Sequence, residues 1–483
     1  MSAQRSATGS VVHGATAPAR RPDTRSRFSL RQSDLSTLLL IGDLIAAAAG
    51  EAIGIGLWVF FDRSFTPTAG LPAWTLAFVL LWPVLLRLFG GGDVASSRFE
   101  GQWLAALAQA SIGVTGLVLV LFYLSPFFAP RGTTFASVAA TVTTILLWRI
   151  GYGRLVGSGL FERRVAIFGL DDAAQRTGRA LAEARSTLPH RVVAYLSHTG
   201  GVPEVDGVPV LAVSADELWP ALRSVAADVL IIGRTGTVPP QMLASLASCF
   251  EHGIEALPAR TVYEELTGRV MVAQLEADWY AELPTHVRSF YGSMKRAFEV
   301  LLIIVTAPVT LTLGALTAVA ILVDSGAPVL FTQVRIGQRG RPFPLHKFRS
   351  MRPDAEPHGL PVWATAGDPR ITRVGRLIRR MRLDELPQLW DVFRGRMSLI
   401  GPRPERPEFV AKLASELPLY HARALVRPGL TGWAQVRYSY AGSIEANLAK
   451  LEYDLYYVRH VGALLDLGIA LRTIAVVLGL KGR

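Results

Sequence analysis

The chain has 483 residues, half of them hydrophobic, with a mean hydropathy of +0.32, which is too apolar for a wholly soluble protein. Fifty Lys and Arg against 38 Asp and Glu leave a formal net charge of +12, suited to anionic headgroups, phosphorylated ligands or nucleic acid. The single cysteine, Cys249, excludes an internal disulfide and fits a reducing compartment, and the composition excludes disordered, collagen-like and disulfide-stapled classes.

Residues 1–36 carry Arg5, Arg20, Arg21, Arg25, Arg27 and Arg31 among Ser, Ala, Pro and Gln, and read as a disordered basic arm. A cleaved signal peptide fits less well, because the apolar run that follows is longer than an h-region and lacks a clear small-residue cleavage site. Four apolar segments at 37–61, 71–89, 103–124 and 134–150 each approach the ~20 residues needed to cross ~30 Å of hydrocarbon. They predict a bundle of four transmembrane helices over 37–157, and the flanking arginines put both its ends on the cytoplasmic side. Asp43 and Glu51 fall within the first span, either as functional groups or as inter-helix hydrogen-bonding partners.

Over 162–258 short apolar strands alternate with helical spacing: 163–169, 192–196, 210–213, 228–233 and 253–257 against a helix over 172–186. This predicts a Rossmann-like parallel sheet. The turn after the first strand reads Gly169-Leu170-Asp171-Asp172 where a dinucleotide-binding turn would have G-x-G-x-x-G. Two carboxylates where a phosphate would sit are repulsive, so the domain is a degenerate nucleotide-binding-type unit, expected to act as scaffold or regulator.

After an expected linker, 259–293, a fifth apolar stretch covers 297–323. Lys295 and Arg296 precede it and Arg335, Arg339 and Arg341 follow, so both flanks favour the cytoplasm; Pro308 in its middle allows a kink. A re-entrant helical hairpin satisfies both observations. The alternative is a kinked fifth span that places everything beyond 324 outside the cell.

Residues 333–436 hold Arg, Gly and Pro in dense phrases: QVRIG at 333–337, KFRSM at 347–351, DPR at 368–370, RRMRLDELPQ at 379–388, GPRPE at 401–405 and RPGLTGW at 427–433. Guanidinium forks bind phosphate oxygens in pairs, so several converging on one cleft suit a diphosphate. Pro387 belongs in a helix's first turn, so the spacing predicts a helix over 386–394 that starts at Asp384-Glu385. There Asp384 is either the helix cap or a nucleophile able to form an acyl phosphate, and Glu385 could hold Mg²⁺. The arginines have a plainer reading too, since Arg380, Arg382 and Arg396 could rest on anionic lipid. His346 and His421 lack metal-spaced partners, no Cys/His cluster suggests zinc, and no P-loop is present. Nucleic acid is disfavoured, because the basic groups follow membrane segments without interleaved aromatics. Over 461–480 an apolar run broken by Asp466 and Arg472 reads either as an interfacial helix or as a core helix.

From Lys295 to the end the chain resembles the bacterial sugar transferase family, the monotopic polyprenyl-phosphate hexose-1-phosphate transferases. The phrases Lys295-Arg296, KFRSM, DPR, LDELPQ, IGPRPE, RPGLTGWAQV and YDLYYV stand in the family's order. The four spans and degenerate Rossmann-like domain resemble the family's long form, which primes exopolysaccharide, capsule or O-antigen assembly. The fold expected is therefore a mixed membrane protein: four-helix transmembrane bundle, Rossmann-like middle domain, and a mainly α catalytic domain over 294–483 on a re-entrant membrane hairpin. The resemblance implies an enzyme of the bacterial inner membrane, with its catalytic domain on the cytoplasmic face. Asp384 would attack the β-phosphate of a UDP-sugar and release UMP, and undecaprenyl phosphate would then accept the phosphosugar. Glu385 matches the family's Mg²⁺ ligand. Lys347, Arg349, Arg379, Arg403 and Arg427 match its phosphate-side cations, with Asp368 and Asp454 as matched acidic positions.

Several positions depart from the family's pattern. Glu299 stands where an aspartate is usual, Ala307 precedes Pro308 in place of serine, and Asp391 replaces an asparagine. Arg437-Tyr438-Ser439-Tyr440 replaces Asn-Gly-Arg after Trp-Ala-Gln-Val, close to where sugar or nucleotide would be read, so the hexose stays open. A membrane scaffold responsive to nucleotide sugars is the alternative function, and a small transporter is weakened by the lack of repeated broken spans. The partners expected are a UDP-sugar, undecaprenyl phosphate and membrane lipid, not nucleic acid. Homodimerisation through the bundle or the α/β domain is compatible with the sequence.

Overall fold

In the computed structural model, residues 32–61, 71–88, 107–108, 110–116, 131–157, 162–184, 190–198, 202–233, 240–272, 279, 283, 290–352, 368–417, 419–438 and 443–478 are described. The basic arm up to residue 31 therefore lies outside the described residues. The first, second and fourth apolar segments are helices α1 (Gln32–Phe61), α2 (Leu71–Leu88) and α3 (Arg131–Gly157). Of the third, helical turns within 107–116 are described, and Leu107, Ala110 and Val114 pack with Phe78 and Trp82 of α2 and Ile145 of α3. Small residues let α1 and α3 approach closely: a Cβ on Gly50 or Gly54 would lie 2.3 or 2.4 Å from the Cα of Thr141 or Ser137. Seven residues before Gly50, Asp43 receives two bonds from Arg149, Nε to Oδ1 at 2.9 Å and Nη2 to Oδ2 at 2.6 Å. Both residues are 1–2% exposed, so Asp43, one of the two ionisable groups of the first span, is an inter-helix partner.

The α/β domain carries a six-stranded sheet in the order β3-β4-β2-β1-β5-β6. Its strands are β1 (Arg163–Phe168), β2 (His190–Ser197), β3 (Glu204–Val205), β4 (Val208–Ala212), β5 (Val229–Ile232) and β6 (Glu255–Pro258). All pairings are parallel except the β3–β4 hairpin, which turns at Asp206-Gly207, both at positive φ. Alternation along β1 sends Val165 and Ile167 into one core and Ala166 and Phe168 into another, so helices α4 (Asp172–Glu183), α5 (Leu218–Ser224), α6 (Pro240–Glu251) and α7 (Ala259–Thr267) cover two faces. The expected linker 259–293 is corrected at its start: Ala259, Val262 and Tyr263 of α7 and Met271 lie in the same core as Val165, because α7 is amphipathic. At the N-terminus of α4, Asp171 Oδ1 accepts the Ala174 amide at 2.8 Å. Its other oxygen would stand 2.7 Å from a Cβ on Gly233. A carboxylate thus occupies the place where a dinucleotide's phosphate would be held.

Helix α8 (Phe290–Ser325) is 36 residues long with Pro308 inside it. Phe298, Leu301, Ile304, Val305, Val309 and Leu311 are exposed along it, an apolar surface unsuited to water. Together with the apolar stretches 36–61 of α1 and 135–156 of α3, it is one of three helices, among the described residues, long and apolar enough to cross a membrane. Threonines flank Ala307-Pro308 and bond back to their own helix: Thr306 donates to Leu302 O, Thr310 to Thr306 O, and Thr312 to Pro308 O. Both ends of α8 rest on the same C-terminal domain. Near its start Lys295 donates to Ile400 O, Arg296 to Val392 O, and Glu299 accepts from the Ser398 hydroxyl and the Leu399 amide. At its end Ile321 packs on Phe348 and Ile378, and the Ser325 and Gly326 carbonyls accept from Arg349.

That domain contains the antiparallel hairpin β7 (Leu330–Ile336) and β8 (Pro342–Phe348), helices α9 (Arg373–Arg380), α10 (Gln388–Phe393) and α11 (Pro407–Glu416), and the short parallel pair β9 (Ser398–Ile400) and β10 (Gly429–Thr431). It ends in α12 (Trp433–Arg437), α13 (Ile444–Arg459) and α14 (Ala463–Leu478). Polar contacts tie it to the α/β domain: Arg176 to Glu452 at 2.8 Å, Arg459 to Glu264 at 2.9 Å, and the Trp433 indole to Gly268 O at 2.9 Å.

Candidate active site

Asp384 and Glu385 lie in a 3₁₀ turn, Leu383–Glu385, between α9 and α10. Helix α9 is started by Thr372, whose hydroxyl accepts the Gly375 amide, and is pressed so closely on the end of β8 that a Gly375 Cβ would sit 2.0 Å from Ser350 O. At Arg382 the chain turns through a left-handed conformation, φ 59°, one that costs a non-glycine residue free energy. Helix α10 begins at Gln388, and Asp384 caps nothing: its carboxylate makes no hydrogen bond to a described residue. The helix start expected at the acidic pair is displaced because Leu386 and Pro387 continue the tight turn.

Four cations surround the pair. Arg403 Nη2 donates to Glu385 Oε1 at 2.8 Å, and Arg382 Nη1 stands 3.8 Å from Glu385 Oε2. Burial raises the Glu385 carboxyl, but the charges of Arg403, Arg382 and Lys347 more than cancel it and hold the group below its usual range. Burial, and then the charge of Glu385, push Asp384 up to about 6 against the pull of Lys347, Arg379 and Arg403. Asp384 is therefore mostly ionised at neutral pH. Lys347, over the Phe331 ring at 5.0 Å, is lowered to about 8 by burial and by Arg335, with Asp384 opposing.

Of the residues the sequence nominated, Asp384, Glu385, Lys347, Arg379 and Arg403 share this field. Arg349 lies at the C-terminal end of α8, where its Nη2 caps the last carbonyls; the residue is 6% exposed, and its Nε and Nη1 are buried without a partner among the described residues. Arg427 is half-buried beside Arg296. Asp368 is bound by Arg370 through Nε at 2.8 Å and Nη2 at 2.5 Å, which shapes the turn into α9. Asp454 is buried against Arg423 at 2.7 Å, and Arg423 in turn donates to the Arg403 carbonyl at 2.8 Å, so Asp454 supports the site from behind.

Sequence reasoning gave no role to Glu405, Lys450 or Arg423. Glu405 receives Lys450, lies 3.6 Å from Arg335, and is held down to about 2 because Lys450, Arg423 and Arg335 outweigh its burial. The signal was faint: Lys450, Glu452 and Asp454 are charged residues on the buried part of α13. The departures also find partners. Asp391, fully buried, accepts the His346 amide and lies 2.9 Å from the His346 ring, fastening β8 to α10. Arg437 stacks over Trp433 at 4.6 Å and Tyr438 lies beside Tyr453, while Ser439 and Tyr440 are outside the described residues.

Beside the acidic pair a cavity of about 660 Å³ opens between α8 and α14. Glu385 and Arg382 line one part of it, and Phe298, Leu302, Leu386, Leu389, Leu467 and Ala470 form much of the remaining wall. No group of three or more His, Cys, Asp or Glu side chains able to hold a metal occurs among the described residues. Asp384 and Glu385 nonetheless form a two-carboxylate donor set suited to an ion that completes its shell with substrate phosphates and water.

Residues 290–480 match the sequence profile of the family described as bacterial sugar transferase. Within it, the chain is 39% identical over 191 residues to the exopolysaccharide production protein PSS of Rhizobium leguminosarum bv. phaseoli, covering 38% of this chain and 93% of that one. The chain belongs to the bacterial sugar transferase family. It is also 41% identical over 234 residues, 48% of this chain, to the UDP-N-acetylgalactosamine-undecaprenyl-phosphate N-acetylgalactosaminephosphotransferase of Aeromonas hydrophila. With the undecaprenyl-phosphate glucose phosphotransferase of Komagataeibacter xylinus it shares 43% identity over 189 residues, 37% of this chain. The match spans 54% and 35% of the length of these two relatives. The acidic pair, Lys347, Arg379 and Arg403 all fall within the family region.

Proposed function

We propose that the protein transfers a hexose 1-phosphate from a UDP-sugar to undecaprenyl phosphate, with release of UMP, through a covalent intermediate on Asp384. The observation that carries this reading is the condition of Asp384. It is a partly buried carboxylate with no hydrogen bond to a described residue, raised to about 6, beside Glu385 and facing Lys347, Arg379 and Arg403. A structural aspartate would be bonded; this one is free to attack.

In the first half-reaction an Asp384 oxygen bonds to the β-phosphorus while the bond from that phosphorus to the bridging oxygen breaks, and its electron pair leaves with UMP. In the second, an oxygen of undecaprenyl phosphate bonds to the same phosphorus. Asp384 departs as carboxylate, and the product is a diphosphate-linked lipid sugar. Lys347, Arg379 and Arg403 offset the charge that gathers on the phosphoryl oxygens. Glu385, kept ionised by Arg403, would hold Mg²⁺ with Asp384 next to it, and the ion when bound would supply Lewis-acid polarisation of those oxygens. The names of the relatives support a UDP-sugar donor and an undecaprenyl phosphate acceptor, and they differ in the sugar.

Helix α8 is read as re-entrant, bent at Pro308, with the catalytic domain on the cytoplasmic face of the bacterial inner membrane. The support is that both its ends pack on one domain, although a straight helix of this length would span about 54 Å. The reaction places the protein at the priming step of a surface polysaccharide, with the α/β domain as scaffold or regulator and Asp171 in its phosphate position.

The test is nucleotide release from purified protein given Mg²⁺, undecaprenyl phosphate and a panel of UDP-hexoses, with Asp384→Asn alongside. UMP from one donor, lost in the variant, supports the reading and names the sugar; UDP as product overturns it. A cysteine introduced at exposed Arg339 tests the topology, because labelling from the periplasm would overturn the re-entrant arrangement.

A further inference from the structure

The cavity beside Glu385 differs from the cationic face of the site. Its wall comes from the N-terminal half of α8, the catalytic turn, β9, β10 and one face of α14, and most of it is apolar. Most of its deep polar groups are spent on protein partners, while Gln435 Oε1, an acceptor, is buried without a partner among the described residues. Lys295 pairs with Asp466 at 2.8 Å, Tyr291 donates to the same carboxylate at 2.5 Å, and the Thr431 and Thr473 hydroxyls bond at 2.8 Å. Arg382 is different. Its guanidinium makes no hydrogen bond to a described residue, has one ion-pair contact, at 3.8 Å to Glu385, and stands at the catalytic end of the cavity. The left-handed backbone at Arg382 turns the chain directly into the segment that carries Asp384, two residues on.

We infer that this cavity holds the first isoprenoid units of the lipid acceptor and that Arg382 receives its phosphate, an assignment that rests on the proposed function. The volume lies in the range that encloses a small apolar ligand. One wall is α8, whose outer face is the exposed apolar surface, so a chain leaving the cavity passes from one apolar wall to another without crossing water. The charge complements as well, since a phosphate at Arg382 is brought toward the phosphorus carried on Asp384 while the chain stays in the apolar part. Beyond Arg382 the paired deep groups offer a nucleotide's phosphates no free donor among the described residues, so the inner wall favours the apolar chain.

Two half-reactions separate the inference from the reading beneath it. Exchange of labelled UMP into UDP-sugar needs no acceptor and reports the donor half; full transfer reports both. Ala470→Trp projects an indole into the cavity, with Ala470→Leu as the milder change should the first fail to fold. In whichever retains exchange, the acceptor KM is expected to rise at least about tenfold more than exchange falls. The inhibition constant of undecaprenol, the same chain without phosphate, rises in parallel. In Arg382→Met the acceptor KM rises while the undecaprenol constant stays within about twofold, because the charge is lost and the cavity is not. An acceptor KM and undecaprenol constant that move no more than exchange in the Ala470 variants would overturn the assignment, and a bulk phospholipid in the cavity would give that result. Absence of exchange in the unaltered protein, with its donor sugar supplied, would instead strike at the proposed function.

Discussion

Lys347 and Asp384 set each other's charge: the ammonium pulls the Asp384 carboxyl down from where burial and Glu385 put it, and the carboxylate pulls the Lys347 ammonium up against burial and Arg335. They stand on separate segments, a strand of the hairpin and the turn before α10, and each is shielded from water. The proposed nucleophile and the cation that lowers it most are thereby tuned to either side of neutral pH.

The donor half-reaction is therefore expected to follow a bell in pH. Attack needs Asp384 ionised, so the rate rises with pH through about 6; charge neutralisation needs Lys347 protonated, so it falls above about 8. Lys347→Met removes the charge that lowers Asp384, so its acid limb moves to higher pH as the alkaline limb due to Lys347 disappears. The measurement is the pH profile of UMP exchange for both proteins.

Asp384→Asn should abolish transfer and at the same time raise thermal stability above pH 6. A carboxyl whose folded value exceeds its ordinary 3.8 costs the fold free energy once ionised, and the cost is complete above the folded value. Removing the charge next to Glu385 relieves it. Melting in detergent at pH 5 and pH 8 checks this: the variant's advantage should grow with pH. A scaffold that only needed the fold would keep its function in this variant.

How far the site was legible in the sequence depended on how local each signal was. The phrases with Lys347, Arg379, Asp384, Glu385 and Arg403 mark one field because each places a charge at the end of a strand or helix, or in the turn or loop that follows one. Five of the six strands of the α/β domain were readable from their apolar runs, whereas the two-residue β3, antiparallel at the sheet edge, was not; Asp171 was already wrong for a phosphate. What could not be read was long-range pairing. Asp43 and Arg149 are 106 residues apart, and Glu405 finds Lys450 across 45 residues, so their meeting depends on packing alone. The helix α7 hid inside an expected linker because its apolar positions are few and separated by charged residues.

Glu405 gives a stability prediction with the opposite sign to Asp384. Its carboxyl falls from an ordinary 4.5 to about 2, so it stabilises the fold fully above 4.5 and loses that contribution as pH drops toward 2. At about 1.4 kcal/mol per tenfold, the gap corresponds to about 3 kcal/mol. Glu405→Gln should therefore lower the melting temperature clearly at pH 7, with a difference from the parent that narrows by pH 3. Because Arg423 also holds Asp454 and the Arg403 carbonyl, the variant should also weaken donor-half turnover through Arg403.

The Asp43–Arg149 pair makes the last prediction, for the membrane bundle. Each partner is buried between α1 and α3, so removing one leaves the other's charge buried without its ion-pair partner. Asp43→Ala and Arg149→Ala are each expected to destabilise the bundle by about 3 kcal/mol or more, whereas the exchanged pair, Asp43→Arg with Arg149→Asp, should recover part of the loss. Unfolding of the purified protein in mixed detergent micelles would measure it. Equal losses in the single and exchanged variants would mean that shape around Gly50 and Gly54, not charge, holds α1 against α3.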